Sequence, residues 1–259
     1  MEKLYVIGHS NPDTDSITSA IVAANLQKKL GNDATAYKLG NINKETAYAL
    51  KTFEVEEPQT LTSVDENCDV ALVDNNEFSQ SVSGIEKAHV KMVVDHHKIK
   101  LETVEPIYFI TEPLGCTCTI LYKLYKQNEV DIDSQTAGFM LSAIISDTLL
   151  FKSPTCTEED KEIAEKLSNI AGVDLYKYGT EMLKAGTDIS EFTPFQVINI
   201  DSKEFNDKNQ AHMLMRYIAR VSKDPRVTIG DVAYIEKIIA FDLSLGEDTA
   251  YYAERIDDK

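Results

Sequence analysis

Three apolar runs in the first hundred residues each stop on residues that carry chemistry, and this constrains the fold more than any other feature of the chain. Leu4-Tyr5-Val6-Ile7 is followed by Gly8-His9, Val70-Ala71-Leu72-Val73 by Asp74-Asn75-Asn76, and Val90-Lys91-Met92-Val93-Val94 by Asp95-His96-His97. Short runs that are largely apolar, without face-to-face alternation, suit strands buried on both sides, as in parallel sheets covered by helices. Ser16 to Leu30 separates the first strand from the next, with Ile17, Ala20, Ile21 and Ala24 at helical spacing. Ala34 to Leu39 reads as a second strand and Lys44 to Phe53 as a second helix. In open parallel α/β sheets, ligands bind at the carboxyl ends of the strands. The three terminations therefore place His9, Asp74 and Asp95-His96-His97 along one edge of one sheet.

The stretch Gly8-His9-Ser10-Asn11-Pro12-Asp13-Thr14-Asp15-Ser16 joins the first strand to the first helix through an Asn-Pro turn. It carries one imidazole and two carboxylates within seven residues. Asp13 and Asp15, two apart, can present oxygens to neighbouring points, as a chain gripping two adjacent cations would require. The structural alternative is an N-cap, which a carboxylate beside a helix start commonly provides. One carboxylate is enough for that, and His9 then needs a separate explanation.

Further along, Pro58 to Asn67 reads as polar and turn-like, Ser83 to Ala88 as short helix or loop, and Ile107 to Ile110 as another strand. Cys116 to Asn128 and Ser134 to Ile145 read as helices, the second running into Ser146-Asp147-Thr148. Glu158 to Ala171 has acidic residues in its first turn and Gly172 just past its end, the signature of a helix with both termini marked. Leu175 to Ala185 is the next helix. The expected architecture is an α/β protein: residues 1–186 form a metal-binding catalytic domain with a mainly parallel sheet flanked by helices. Residues 187–191 are then a linker, and residues 192–259 a smaller, divergent α/β domain containing elements near Val197–Phe205 and Met213–Ala219.

Gathered together, His9, Asp13, Asp15, Asp74, Asp95, His96, His97 and Asp147 hold three of the five histidines in the chain. Carboxylate and imidazole without thiolate suit Mn, Mg, Co or Fe better than structural zinc. An Asp between two half-sites is a natural bridge, and two cations ~3.5–4 Å apart can hold a hydroxide and clamp an in-line displacement at phosphorus. Each residue also has a bland reading: Asp95 orients a histidine, one of the His-His pair is structural, and Asp147 is a helix-end carboxylate. With 26 Lys and Arg against 43 Asp and Glu, the net charge of −17 argues against a general nucleic-acid binder, which would show a basic face. The four cysteines form no C-x-x-C pair and read as reduced thiols. No apolar run approaches the ~18 residues of a membrane span. Strand residues begin too close to Met1 for a signal peptide, so a soluble, cytoplasmic protein is expected.

These motifs resemble those of the DHH phosphoesterases. His9-Ser10-Asn11-Pro12-Asp13-Thr14-Asp15, Asp74, Asp95-His96-His97 and Ser146-Asp147 match in order. Within that superfamily the chain is similar to the manganese-dependent, family II inorganic pyrophosphatases, on Ser146-Asp147-Thr148-Leu149-Leu150-Phe151-Lys152-Ser153-Pro154-Thr155 and Met182-Leu183-Lys184-Ala185-Gly186-Thr187. The resemblance runs from Met1 to about Phe205. It implies His9, Asp13 and Asp74 on one metal, and Asp15, Asp74, His96 and Asp147 on the other. It implies His97 and Lys203 at the substrate, with His97, Asp74 and Lys203 catalytic; Asn75 is read as a further substrate contact and Asp95 as the residue that orients a histidine. The implied cofactor is two Mn(2+), with Co(2+) or Mg(2+) as substitutes and additional Mg(2+) arriving with the substrate, pyrophosphate. The implied assembly is a homodimer through the first domain, without nucleic acid or membrane.

The chain departs from that pattern twice. Where many relatives have Asp-His-Asn-Glu it has Asp74-Asn75-Asn76-Glu77, and the amide of Asn75 cannot titrate as an imidazole does. From about Asn206 onward the family's pattern is lost, including a Ser-Arg-Lys-Lys-Gln segment that grips phosphate. Arg216, Arg220, Lys223 and Arg226 either substitute for it or form a solvated helix face. The short interval from Pro58 to Asp69 leaves no room for nucleotide-binding CBS domains. Two other functions stay open: an oligonucleotide phosphodiesterase sharing the metal half, and a metal-binding protein whose catalysis is weak because the phosphate clamp is missing. The first normally uses a Gly-Gly-rich second domain, and this chain has no Gly-Gly dipeptide.

Overall fold

In the computed structural model, described here for residues 3–187, six strands form one wholly parallel sheet. They are β1 (Leu4–Ile7), β2 (Ala34–Lys38), β3 (Gln59–Thr60), β4 (Asp69–Val73), β5 (His89–Asp95) and β6 (Tyr108–Thr111). Their order in space is β3-β2-β1-β4-β5-β6. The chain builds outward from β1 in one direction, then returns to its other side and builds outward again. The reversal falls between β1 and β4, and there the loops after neighbouring strands diverge and leave a crevice. His9 and Asp74 follow the two strands that flank it.

Helices are α1 (Thr14–Lys29), α2 (Lys44–Thr52), α3 (Thr117–Gln127), α4 (Ser134–Thr148), α5 (Glu158–Ala171) and α6 (Leu175–Gly186). All six contribute side chains to one large core on one face of the sheet, against Val6, Ala71, Val73, Met92 and Val94. The opposite face carries Ile7, Tyr37, Val70, Leu72 and Val93, covered by Val82 and Ile85 and by partly buried residues such as Leu61, Phe78 and Leu101. The sheet is thus flanked by helices on one side, and among the described residues by single 3-10 turns, Phe78–Gln80 and Ile85–Lys87, on the other. The connection from β4 to β5 folds into these two turns rather than an α-helix, which is why that face is covered thinly.

The strands sit within a residue or two of the stretches read from the sequence, with one addition. Gln59–Thr60, inside a segment read as turn-like, pairs with Tyr37 and Lys38 as a two-residue edge strand. Both of its side chains are exposed, so it leaves no hydrophobic signal. In β5 the pairing with β4 skips Lys91, since Val70 faces Val90 while Ala71 faces Met92. That bulge moves Met92 onto the helix-covered face although Val90 packs on the other. Beyond it, Val93, Val94 and Asp95 keep step with the neighbouring strands.

Helix α1 begins two residues before the expected Ser16. Asp13 is its N-cap and accepts the Ser16 backbone N–H at 2.9 Å. The early start matters because Asp15 then lies in the first turn and is carried into the core. Helix α4 is buried over most of its length, from Thr136 to Ile145, and packs against α1, α3 and α5. It keeps Asp147 in its last turn. The chain then passes through Leu149, Leu150 and Phe151 with φ of 49°, 52° and 66°. Three successive left-handed residues without a glycine are costly, at roughly 1–2 kcal/mol each. They are held by Leu150 N–H to Ile145 O (2.9 Å) and Ser153 N–H to Thr148 O (2.8 Å). The first compact unit of the chain ends at Asp188. The expected linker at 187–191 and the second domain lie outside the described residues, apart from Thr187.

Candidate metal centre

Asp74 stands at the middle of the site. It follows β4, is 3% exposed, and takes a left-handed φ of 52° that Asp tolerates better than most residues. Its two carboxylate oxygens face opposite ways. Oδ2 lies 3.4 Å from His9 Nε2, and Oδ1 lies 3.5 Å from His96 Nε2. His9 Nε2 is also 3.5 Å from Asp13 Oδ2, and His96 Nε2 is 3.5 Å from Asp147 Oδ2. Three overlapping groups result, each with its ligand-type atoms within 4.8 Å of one another: the two clusters His9-Asp13-Asp74 and Asp15-Asp74-His96-Asp147, and Asp74-His96-His97, which adds only the more exposed His97 to residues already counted. Asp74 is their common member.

The backbone assigns the imidazole tautomers. His9 Nδ1 lies 2.8 Å from Ser10 O, and His96 Nδ1 lies 2.9 Å from Leu114 O. A carbonyl only accepts, so each Nδ1 donates its proton there and each Nε2 is the nitrogen facing the carboxylates, able to offer a lone pair to a cation that displaces its proton. His96 Nε2 is buried with no hydrogen-bond partner. Distances of 3.4–3.5 Å exceed the 2.7–3.2 Å of N–H···O hydrogen bonds. They suit atoms sharing one ion, since ligands at ~2.1 Å around an octahedral cation lie about 3 Å apart. Four carboxylates also balance two divalent cations in charge. The donor set therefore fits a pair of Mn-, Co- or Mg-like ions, with the imidazoles favouring the first two.

Asp13 does two jobs with two oxygens: Oδ1 caps α1 while Oδ2 faces His9. The cap and the ligand readings are therefore compatible. Asp15 is fully buried, and a carboxylate there needs partners. Ser19 Oγ donates to its Oδ1 at 2.6 Å and Thr117 N–H to its Oδ2 at 2.8 Å. Thr117 Oγ also donates to Asp74 Oδ1 at 3.2 Å. Asp147, in the last turn of α4, sits where the helix dipole favours a cation over a carboxylate. Ser146 Oγ and Thr14 Oγ both donate to Glu45 Oε1, at 2.5 and 2.8 Å, tying the end of α4 to the start of α1.

The protein atoms alone leave these charges unbalanced. Burial pushes the Asp15 carboxyl up to about 6, helped by the neighbouring charge of Asp74. Burial and the charges of Asp15 and Asp74 also push Asp147 well above the usual carboxylate range. Burial works against a charged His9, but the Asp13 and Asp74 carboxylates overcome it and raise the imidazole to about 11. His96 is raised to about 9 against the same opposing burial, by Asp74 and Asp15. Burial would raise Asp74 too, yet His9 and His96 hold it below the ordinary range. Protons on the imidazoles thus occupy the electrostatic place that cations fit.

His97 is arranged differently. Its Nδ1 lies 2.9 Å from Asp95 Oδ1, which also accepts the His97 backbone N–H at 3.1 Å. That bond, more than Asp74 at 3.6 Å, accounts for the raised pKa of His97. With Nδ1 engaged and the ring 56% exposed, His97 is placed to meet a ligand from outside. Asp95 is fully buried and carries His97 without entering either cluster. Asn76 is a partner that the sequence reading did not single out. Its Nδ2 donates to Asp95 Oδ2 at 2.5 Å and to Lys98 O at 3.0 Å, and its Oδ1 accepts Lys100 N–H at 2.6 Å. Nothing in the Asn-Asn-Glu string distinguishes that role from a surface turn. Asn75 uses Oδ1 to accept Glu77 N–H at 2.9 Å, while its buried Nδ2 has no partner. Lys203, Arg216, Arg220, Lys223 and Arg226 lie outside the described residues. The cysteines are free; Cys116 and Cys118 are fully buried and their thiols are pushed up by that burial.

A parallel sheet whose reversal point carries two carboxylate-imidazole clusters around a shared Asp has a counterpart among known families. Residues 3–144 match the DHH family, N-terminal domain, and the chain belongs to that family. It is 53% identical over 207 residues to the manganese-dependent inorganic pyrophosphatase of Bacillus subtilis, covering 79% of this chain and 67% of that one. A Staphylococcus carnosus protein assigned the same activity is 55% identical over 208 residues, covering 80% and 68%. The chain thus spans about two thirds of the length of these relatives. A Bacillus cereus protein of the same assignment is 51% identical over 242 residues, covering 93% of this chain and 77% of its own length. A match that long runs past Asn206, so similarity continues where the motif reading lost it. Among solved structures, a Methanococcus jannaschii protein assigned to the family II inorganic pyrophosphatases aligns with a TM-score of 0.70 and 42% identity, over 76% of this chain and 66% of that one.

Proposed function

We propose that this chain hydrolyses inorganic pyrophosphate to two phosphates, with two Mn(2+) held by His9, Asp13 and Asp74 on one side and by Asp15, Asp74, His96 and Asp147 on the other. The observation that carries this reading is the opposed pair of oxygens on Asp74, each facing an imidazole whose other nitrogen is already committed to a carbonyl. The names and identities of the relatives supply the substrate and the metal. Bound divalent ions would contribute Lewis acidity at the phosphoryl oxygens and a lowered pKa for a coordinated water. Co(2+) or Mg(2+) could replace Mn(2+), and Mg(2+) could also arrive with the substrate.

The chain's own residues supply position and charge. Asp95 fixes the His97 tautomer and favours its protonated form, which suits a group that contacts an anionic phosphate from the open side. Asn75 Nδ2, buried and unpartnered, can donate to a substrate oxygen without titrating. Lys203 is proposed as a further cation at the substrate. Residues 1–186 would be the catalytic domain, 187–191 a linker, and 192–259 a substrate-side domain. A cytoplasmic homodimer that binds neither nucleic acid nor membrane completes the reading; among the described residues, no helix is long and apolar enough to cross a membrane.

The test compares pyrophosphate with a short oligonucleotide as substrates of the Mn-loaded chain. Phosphate release from pyrophosphate alone is expected. Cleavage of the oligonucleotide in preference would favour the phosphodiesterase reading. Two bound ions without turnover of either substrate would favour weak catalysis.

A further inference from the structure

Asp160 lies in the first turn of α5, fully buried, and belongs to neither cluster. Its Oδ2 accepts the Thr157 backbone N–H and the Thr157 hydroxyl, both at 2.7 Å; the first of these, with Asp160 N–H donating to Thr157 Oγ at 3.2 Å, makes the capping box that starts the helix. A capping box accounts for an acid at this position but not for its other two bonds. Gly115 N–H donates to Oδ2 at 3.0 Å, and Thr119 Oγ donates to Oδ1 at 2.6 Å. These reach back 45 and 41 residues in the chain.

The segment between those anchors carries much of the second cluster. Leu114 O takes the proton of His96 Nδ1, Thr117 N–H donates to Asp15, and Thr117 Oγ donates to Asp74. Three of the four proposed ligands of one ion therefore rest on Leu114 to Thr117, and that segment rests on Asp160. The fit leaves no slack: a Cβ on Gly115 would lie 2.7 Å from Asp160 Oδ2 and 3.0 Å from Thr148 Cγ2. The first cluster draws nothing from this segment except the shared Asp74. His9 is held by Ser10 O, and Asp13 accepts Ser16 N–H.

We propose that Asp160 is a positioning residue for one ion of the pair, the one held by Asp15, Asp74, His96 and Asp147, acting by fixing the Leu114–Thr117 segment through Gly115 and Thr119. This rests on the proposal that those four residues hold an ion. Losing Asp160 should weaken one ion and spare the other, whereas a general loss of stability would weaken both. Partners of metal ligands of this kind typically matter 10–100-fold for metal affinity.

The experiment is Mn(2+) titration of the full chain, with free Mn(2+) read by electron paramagnetic resonance. The native chain, Asp160→Asn, Gly115→Ala and Thr157→Ala are compared. Asp160→Asn places an amide where three N–H or O–H donors now converge or where Thr119 donates. Gly115→Ala attacks the same anchor from the other side and decides the matter if Asp160→Asn does not fold. Thr157→Ala removes the capping hydroxyl and leaves the Gly115 and Thr119 bonds in place. Two ions in the native chain, one of them weakened roughly 10–100-fold in Asp160→Asn and Gly115→Ala, and both intact in Thr157→Ala, would support the proposal. Unchanged affinities in both of the first two variants would overturn it. So would equal weakening of both ions, or the same loss in Thr157→Ala. A native chain that binds no Mn(2+) would instead overturn the metal reading beneath it.

Discussion

The two halves of the candidate centre are built in different ways. His9 and Asp13 lie four residues apart on one strand-to-helix turn, and the Asp13 side chain is 49% exposed. Their positions follow from local structure: a carbonyl one residue away, an N-cap and a turn. Asp15, His96 and Asp147 come from three separate elements, with Asp15 fully buried and His96 and Asp147 only 14% and 16% exposed. They depend on partners up to 102 residues distant. A local half-site can survive modest damage elsewhere in the fold. A tertiary half-site depends on packing, and like charges forced together there make it costly without a cation. Asp74 belongs to both, so it is where the contrast collapses.

The largest effect is therefore expected at Asp74. Asp74→Asn should weaken both ions and lower turnover on the order of a hundred- to a thousandfold, the scale of removing one group that stabilises the transition state. Elemental analysis after gel filtration checks this. Two tightly held ions in the variant would show that Asp74 is not shared.

A second expectation separates the halves. Asp147→Asn removes a buried carboxylate whose ionisation is opposed by burial and by Asp15 and Asp74. Without metal it should stabilise the chain, because the amide carries no charge for burial and the neighbouring carboxylates to oppose. With Mn(2+) the same variant should lose one ion and melt below the native protein. Asp13→Ala should do the reverse in the metal-free state, costing about 1 kcal/mol through its lost cap. Thermal melts with and without chelator compare them. Matching signs in the metal-free state would remove the distinction.

These differences also mark what was legible from sequence. Strand ends at His9, Asp74 and Asp95 could be read because apolar runs stop there. The candidate ligands on the first turn could be read because their spacing is local. Gln59–Thr60 left no trace because neither side chain is buried. Asn76, Thr117 and Asp160 act through contacts 19 to 45 or more residues away, so no window around them shows their role. Leu149-Leu150-Phe151 gave no sign of a left-handed turn because glycine or asparagine, the usual markers, are absent. That the helices gather on one face became visible only once β4 and β5 were seen to lack one between them.

A smaller effect concerns pH. His9 and His96 have folded-state values of about 11 and about 9, raised from 6.5, so in the metal-free chain they contribute stability that is full below about 6.5. It is lost as pH rises through 9 toward 11. Asp15, raised from 3.8 to about 6, also subtracts stability as pH rises, between those two values. Metal binding runs the other way, because the ion must displace protons from the imidazoles. Between pH 6.5 and 8.5 the Tm gained on adding Mn(2+) should therefore widen. A gain that is constant across that range would dissociate His9 and His96 from the metal.

The central claim is that one carboxylate joins two ions at the reversal point of the sheet, and its most direct measurement is electron paramagnetic resonance of the chain loaded with Mn(2+). Two ions sharing Asp74 must lie close enough for their spins to couple. The account predicts two Mn(2+) per chain with an exchange-coupled spectrum that disappears in Asp74→Asn. A single bound ion, or two ions with the spectrum of isolated Mn(2+), would contradict it.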